Sequence, residues 1–304
     1  MNDREFLGRF RLSKKAFHVL VDLIRDELPP GRSNNGQSLL PEERVLVFLF
    51  SAGTSISNFN AAYAHGMSEG TIHNCIDQVM KAICKIVVPK YITLPTSEEA
   101  REEAKLFQER GNFPPKPHEP IVIGALDGSH ILIPSPDEEK IETINRHGTH
   151  SLNVMLLGGA SFRIYAAVTN CMGAQHDASV FKNSELYELL KIHNYRPIPN
   201  CVILADQAYP DSEPTIATCF LEGLAMHCER MKAYNKAFIL CRLVIEQIIG
   251  VLKRRFPTLR KGLEFHDLER CSMFIQSCIG KFNLLLTQIK LLCKKHTVLV
   301  IQQV

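Results

Sequence analysis

The sequence predicts an α/β protein preceded by an all-helical leader. Three observations carry that prediction. The first ninety or so residues place apolar side chains at helical spacing. From about residue 120 the pattern changes to short, apolar, often β-branched runs: IVIGAL, SLNVMLLGG, FRIYAAVT and CVILAD. Between and after those runs lie helical stretches, DASVFKNSELYELLKIH and KAFILCRLVIEQIIGVLKRR. Strands mixed with helices make a layered α/β domain.

In the leader, Ser13 is placed to cap a helix whose apolar positions are Phe17, Leu20, Ile24 and Leu28. Pro29, Pro30 and Gly31 end it, and SNNGQS continues as a loop. Pro41 opens the next helix with acids behind it, which suits a helix N-terminus. SNFNAAYAHG is a short helix, Gly66 a turn, and Ser68 the cap of a longer helix, EGTIHNCIDQVMKAICKIV. Short helix, glycine turn and longer helix fit either a helix-turn-helix or a plain helical bundle. Residues 91–120 read as a linker holding a short charged helix. The expected organisation is thus 1–90 helical, 91–120 linker, 121–290 α/β domain and 291–304 tail.

The bulk numbers exclude some classes. The 304 residues suggest about two domains, and 45% hydrophobic residues suffice for a sizeable core. A formal charge of +3 permits nucleic-acid binding without pointing to it, so any such contact needs a local patch. None of the ten cysteines forms a CxxC pair, which argues against a zinc finger. The opening MNDREFLGRFR is charged, unlike a signal peptide, and no apolar run reaches membrane-spanning length. The expectation is a reduced, intracellular, soluble protein without membrane contact.

Three acids stand out. Asp127 in IGALDGSHI and Asp206 in CVILADQAYP each follow an apolar run, at what reads as a strand end where the chain turns. Each is either a turn residue satisfying its own backbone or a metal ligand. On a helical wheel that sets Ile239 at zero, Leu240, Val244, Ile245, Ile248, Ile249, Val251 and Leu252 form a buried arc of roughly 100–280°. Glu246 falls outside it, near Arg242 and Lys253. It is either a solvated acid paired with Arg242 one turn back or a ligand facing a cleft.

Five blocks in order carry a resemblance: GALDGSHI, INRHGTHSLNV, GAQHDASVFKNS, LADQAYP and YNKAFILCRLVIEQIIGVLKRRFPTL. Together they resemble the PIF/Harbinger transposases and the nucleases domesticated from them, of the DDE superfamily; the leader is similar too. The resemblance implies an RNase H-like catalytic fold, a mixed sheet flanked by helices. It implies a metal-dependent DNA endonuclease or transposase that hydrolyses phosphodiester bonds and can join strands. Asp127 and Asp206 match the catalytic aspartates and Glu246 the catalytic glutamate. Asp177, after His176, matches a further acidic position. All four are candidate ligands for Mg²⁺ or Mn²⁺, hard ions that prefer oxygen.

The same resemblance brings DNA as partner, a Myb-like DNA-binding protein as a second one, self-association, and a nuclear location with the cytoplasm as an alternative. His130, His147, His150 and His176 flank the acids in sequence; His130 and His176 are the candidates for support around the metal ligands. Lys253, Arg254, Arg255, Arg260 and Lys261 form a basic patch suited to DNA phosphates. Ser129 and His130, being sequence neighbours, do not suggest a serine-hydrolase triad. The chain departs from the family at Ala205, Gln207 and Ala208, in LLGGASFRI, which lacks an acid, and at Phe282, where histidine is common. Those departures keep open a domesticated factor that binds DNA or protein without cutting. An unrelated metallohydrolase of the same fold is the third alternative.

Overall fold

The computed structural model describes residues 1–29, 31–32, 38–55, 57–112, 121–136, 141–209 and 215–292. The expected SNNGQS loop, the proline-rich end of the linker and the C-terminal tail fall largely outside them. The chain divides into two compact units. One comprises the described residues within 1–92, 131–152 and 251–292; the other comprises those within 93–130 and 153–250.

The first unit is mostly helical. It opens with α1 (Asp3–Phe10) and α2 (Lys14–Ile24), the latter capped by Ser13, whose side chain accepts from Ala16 N–H. Two short paired strands, β1 (Gly31–Arg32) and β2 (Ser38–Leu39), precede α3 (Pro41–Thr54), which has its proline in the first turn. Next come α4 (Asn58–His65) and α5 (Glu69–Ala82), joined through Gly66 in the left-handed region (φ 63°) and capped by Ser57 and Ser68. A π-helical turn, Ile83–Val87, links α5 to α6 (Val88–Tyr91). Pro89 explains it: without an N–H it cannot continue the regular ladder, and the backbone slips register.

Residues 251–292 belong to this same unit. It contains α12 (Pro257–Lys261) and α13 (Leu268–Leu292). From Phe274 to Leu286, α13 is buried almost all round. A helix apolar on every side must be covered on every side. The cover comes from α2, α5, α6 and the π turn, and Phe48 of α3 meets Phe274 edge-on at 5.7 Å. The two compact units therefore alternate along the chain, because α13 is buried against the helices of the leader.

The second unit is a mixed α/β layer. It begins with α7 (Ser97–Gly111), which carries a capping box from Thr96 and Glu99. Its sheet holds β3 (Ile121–Leu132), β4 (Ser151–Gly158), β5 (Ile164–Met172), β6 (Cys201–Leu204) and β7 (Ile216–Ala217), in the order β5-β4-β3-β6-β7. β6 lies parallel to both β3 and β7, while β4 and β5 form a hairpin. Every residue of β4 is buried, as expected of a strand covered on both faces.

Helices flank the sheet. α8 (Asp177–Lys182) and α9 (Glu185–Lys191) insert Phe181, Leu186 and Leu190 into a core with Ile123, Met155, Leu157 and Ile203. After the short α10 (Glu222–Ala225) comes α11 (Glu229–Arg255), whose Ile245 and Ile248 lie over Gly158. The thiol of Cys241 on α11 donates to the Phe107 carbonyl of α7.

Three local expectations change. The DASVFKNSELYELLKIH stretch is two helices, because Ser184 caps a new one. Leu240, placed in the buried arc of α11, is 44% exposed. β3 does not turn at Asp127-Gly128 but runs on to Leu132, so Asp127 lies inside a strand.

Candidate active site

The strand register brings the first two acids together. Ala125 on β3 is paired with Leu204 on the parallel β6. Asp127 and Asp206 each lie two residues beyond that pair, at the carboxyl side of adjacent parallel strands. In open α/β sheets this is where ligand crevices form. Asp206 is exposed, and its Oδ1 accepts from Gln207 N–H at 2.6 Å. Asp127 is only 21% exposed in its side chain and accepts from Gly128 N–H at 2.9 Å.

Asp177 enters as the first residue of α8. Asn153 of β4 donates from Nδ2 to Asp177 Oδ1 at 2.8 Å and to the Gln175 carbonyl at 3.0 Å. The carboxylate is thereby held over the backbone of Gly128. A Cβ at Gly128 would come within 2.4 Å of Asp177 Oδ1, so the glycine after Asp127 is required by this close approach.

Glu246 joins through Arg242. On α11 the two are one turn apart, and Arg242 Nη2 donates to Glu246 Oε1 at 2.5 Å. Its Nη1 donates to Asp127 Oδ2 at 3.3 Å. One guanidinium thus bridges the first and last acids. A second contact fixes the helix: Arg110 of α7 donates to the side chain of Gln247.

The charges press on one another. Burial raises the ionisation of Asp127 above the usual aspartate range. Arg242 and the Gly128 N–H oppose that shift, while the charges of Asp177 and Glu246 add to it. Tyr209 feels the same group. Burial, then the charges of Asp177, Asp127 and Asp206, push its phenol upward. Tyr209 lies within LADQAYP and Asn153 within SLNV, and no local pattern in either stretch marks them as site residues.

Among the described residues no three His, Cys, Asp or Glu side chains are grouped closely enough to hold one ion as they stand. Arg242 occupies Asp127 and Glu246, and Asn153 occupies Asp177. The donor set nevertheless suits a hard divalent cation. It consists of oxygens, its acids repel one another, and the Oδ1 of buried Asn153 has no hydrogen-bond partner.

The remaining predicted residues divide. His130 lies on β3, three residues past Asp127, and His176 is the exposed residue before α8. His147 and His150 are engaged locally: Arg146 Nε donates to His147 Nε2 at 3.3 Å, and His150 Nδ1 lies 2.6 Å from Thr143 Oγ1. In the basic patch Arg254, Arg260 and Lys261 are exposed, and Lys253 is half-buried. Arg255 is the exception and corrects the expectation of a phosphate contact there. It is 9% exposed, donates to the Arg11 carbonyl at 2.7 Å, and burial lowers its ionisation to about 10.

Comparison with known proteins bears on what this arrangement is. The family profile described as DDE superfamily endonuclease matches residues 126–283, a span that includes all four acids. The chain belongs to the DDE superfamily endonucleases. Enzymes of this superfamily use divalent metal ions. The chain is also similar to proteins named "Putative nuclease HARBI1". The one from Rattus norvegicus is 25% identical over 93% of this chain and 78% of its own length. That from Homo sapiens is 24% identical over the same shares, and that from Xenopus laevis 26% identical over 92% and 77%. No solved structure matches. The Harbinger resemblance seen in the sequence agrees with these relatives. No helix among the described residues is long and apolar enough to cross a membrane.

Proposed function

We propose that this DDE-superfamily chain is a metal-dependent DNA endonuclease on an RNase H-like fold, with Asp127, Asp206 and Glu246 as its catalytic acids and Asp177 as a further ligand. The supporting observation is the register that sets Asp127 and Asp206 side by side, with Glu246 tied to Asp127 through Arg242.

Two divalent ions, Mg²⁺ or Mn²⁺, would supply an activated water and stabilise the leaving oxygen in an in-line displacement. Asp127, the least exposed of the three catalytic acids, would be a ligand to them. Asp206 and Glu246 flank it, and Asn153 holds the Asp177 carboxylate in place. Arg242 compensates the acids' charge in the metal-free protein. Exposed Arg254, Arg260 and Lys261 supply phosphate contacts, which depend on salt and not on sequence. Lys and Arg outnumber Asp and Glu in the helical unit, and the reverse holds in the sheet unit. The helical unit is therefore the one suited to a DNA backbone, with α4 and α5 as a helix-turn-helix candidate. A nuclear location, a Myb-like partner and self-association complete the proposal. Strand joining through a 3′-hydroxyl would use the same acids.

The test is cleavage of duplex DNA with Mg²⁺ or Mn²⁺ by the wild type, Asp127→Ala and Glu246→Gln. Cleavage by the wild type alone is expected; activity surviving both substitutions sinks the site. A second reading is a domesticated factor that binds without cutting. It is favoured by Arg242 seated between Asp127 and Glu246 and by Ala205, Gln207 and Ala208 around Asp206. Metal-independent DNA binding with no cleavage under either ion would select it.

A further inference from the structure

Two polar atoms beside the acids lack partners. The Tyr209 hydroxyl is buried, in a residue only 2% exposed, and makes no hydrogen bond. Asn153 is 1% exposed, and its Oδ1 also has no partner, although its Nδ2 makes two bonds. Buried polar groups are normally satisfied, and leaving one unmade costs about 1–3 kcal/mol. Two such groups, one bonded to Asp177 through its other amide atom and one in the turn that carries Asp206, are a signature of a site whose hydrogen bonds are completed by something else.

Their placement is fixed by packing. The Tyr209 ring meets Phe181 of α8 edge-on at 5.8 Å, and its backbone N–H donates to the Asp206 carbonyl at 3.0 Å. The ring is thus clamped between the helix that begins at Asp177 and the turn that carries Asp206. Asn153 Oδ1 lies 3.2 Å from where a Gly128 Cβ would stand, beside Asp177 Oδ1. The chemistry of the two atoms is complementary. An amide oxygen can only accept, so its partner must bring a proton, as a water does. A phenol brings one, so its natural partner is a carboxylate or water oxygen.

We propose that Tyr209 and Asn153 are positioning residues for the metal ligands, the phenol donating a hydrogen bond to an acid oxygen and the amide oxygen accepting one from an ordered water once a divalent ion is bound. This rests on the metal-nuclease reading above. Neither residue touches the reacting atoms. They orient carboxylates and water, and such partners typically change metal affinity about 10–100-fold.

The experiment is a Mn²⁺ titration read by thermal unfolding of the full chain, for wild type, Tyr209→Phe and Asp127→Asn. The phenylalanine keeps the ring against Phe181 and removes only the orphan hydroxyl. Its metal-free melting temperature is expected to equal the wild type's or exceed it, because no bond is lost. Its apparent Mn²⁺ affinity is expected to fall about tenfold. An affinity equal to the wild type's overturns the proposal, and so does a metal-free melting temperature lowered as much as the metal-bound one, which would make the hydroxyl structural. A wild type that Mn²⁺ does not stabilise rejects the metal-nuclease reading and this inference with it. Stabilisation retained in Asp127→Asn rejects the site assignment. Wild-type binding with an unchanged Tyr209→Phe rejects this inference alone.

Discussion

The sheet unit holds two inward carboxylates under opposite conditions. Glu103 on α7 is 2% exposed and fully engaged: it accepts from Ser161 N–H at 3.0 Å, from the Ser161 hydroxyl and from Tyr165 OH at 2.6 Å. Those bonds pin the β4–β5 hairpin to the helix, at a place where Gly159 leaves no room for a side chain. Asp127 on β3 is less buried yet worse served. It has one backbone donor and a longer contact to a shared guanidinium, and other acids press on it. Where both oxygens have donors, a buried acid holds the fold together. Where donors are few and like charges converge, the acid's charge is left poorly balanced, which is the condition the proposed metal site requires.

The largest effect that can break this contrast is on catalysis. Asp127→Asn should lower metal-dependent DNA cleavage on the order of 10³-fold or more, about 4 kcal/mol of transition-state stabilisation. Glu103→Gln, measured where it is folded, should cleave within a few-fold of the wild type. Comparable losses in both, in initial-rate assays on one duplex, would erase the distinction.

Next comes stability. Glu103→Ala strands the Tyr165 hydroxyl and the Ser161 donors in the interior, at about 3 kcal/mol. Calorimetry should show the melting temperature lower by roughly 10 °C. A drop of only a degree or two would mean that α7 is held to the hairpin by packing alone.

Lys281 of α13 is a third case, in the helical unit. It is wholly buried, donates to the Phe10 carbonyl at 3.2 Å, and sits 4.8 Å from the Phe256 ring centroid. Burial lowers its ionisation to about 7 from 10.5. Between those values the unfolded chain binds the proton and the fold releases it. Stability from this group therefore rises with pH across that window and is lowest at or below pH 7. Lys281→Met should flatten the rise, by a few degrees in melting temperature. An identical pH profile in both proteins would show that the ammonium is better solvated than its surroundings imply.

What was legible in the sequence follows the same physics. Caps and turns were, because Ser13, Ser68, Pro41 and Gly66 act on their own neighbours. Glu246 and its Arg242 partner were legible, being one helical turn apart. The course of β3 through Asp127 was not: Asp-Gly reads locally as a turn, whereas the strand runs on to Leu132 and Asp177 approaches Gly128 closely. Tyr209 and Asn153 were hidden for a like reason. Their significance is a missing bond, and a missing bond is visible only when the neighbours are known. Arg255 shows the converse: a cation in a basic run whose partner, the Arg11 carbonyl, lies 244 positions away.

The smallest effect tests the contrast most sharply, since its sign differs between the two acids. The folded protein holds the Asp127 proton more tightly than the unfolded chain, whose value is 3.8. Stability therefore falls as pH climbs from 3.8 through the raised folded value, and above it the ionised group is a standing cost. Asp127→Asn removes that cost while leaving Arg242 its bond to Glu246. In the absence of metal at neutral pH, the variant should melt higher than the wild type. The gain should shrink as pH approaches 3.8, where the wild-type carboxyl is itself neutral. With saturating Mn²⁺ the order should reverse, because only the wild type gains from the ion. A melting temperature lowered by Asp127→Asn as it is by Glu103→Ala would make Asp127 a structural acid, and the site would have to be sought elsewhere.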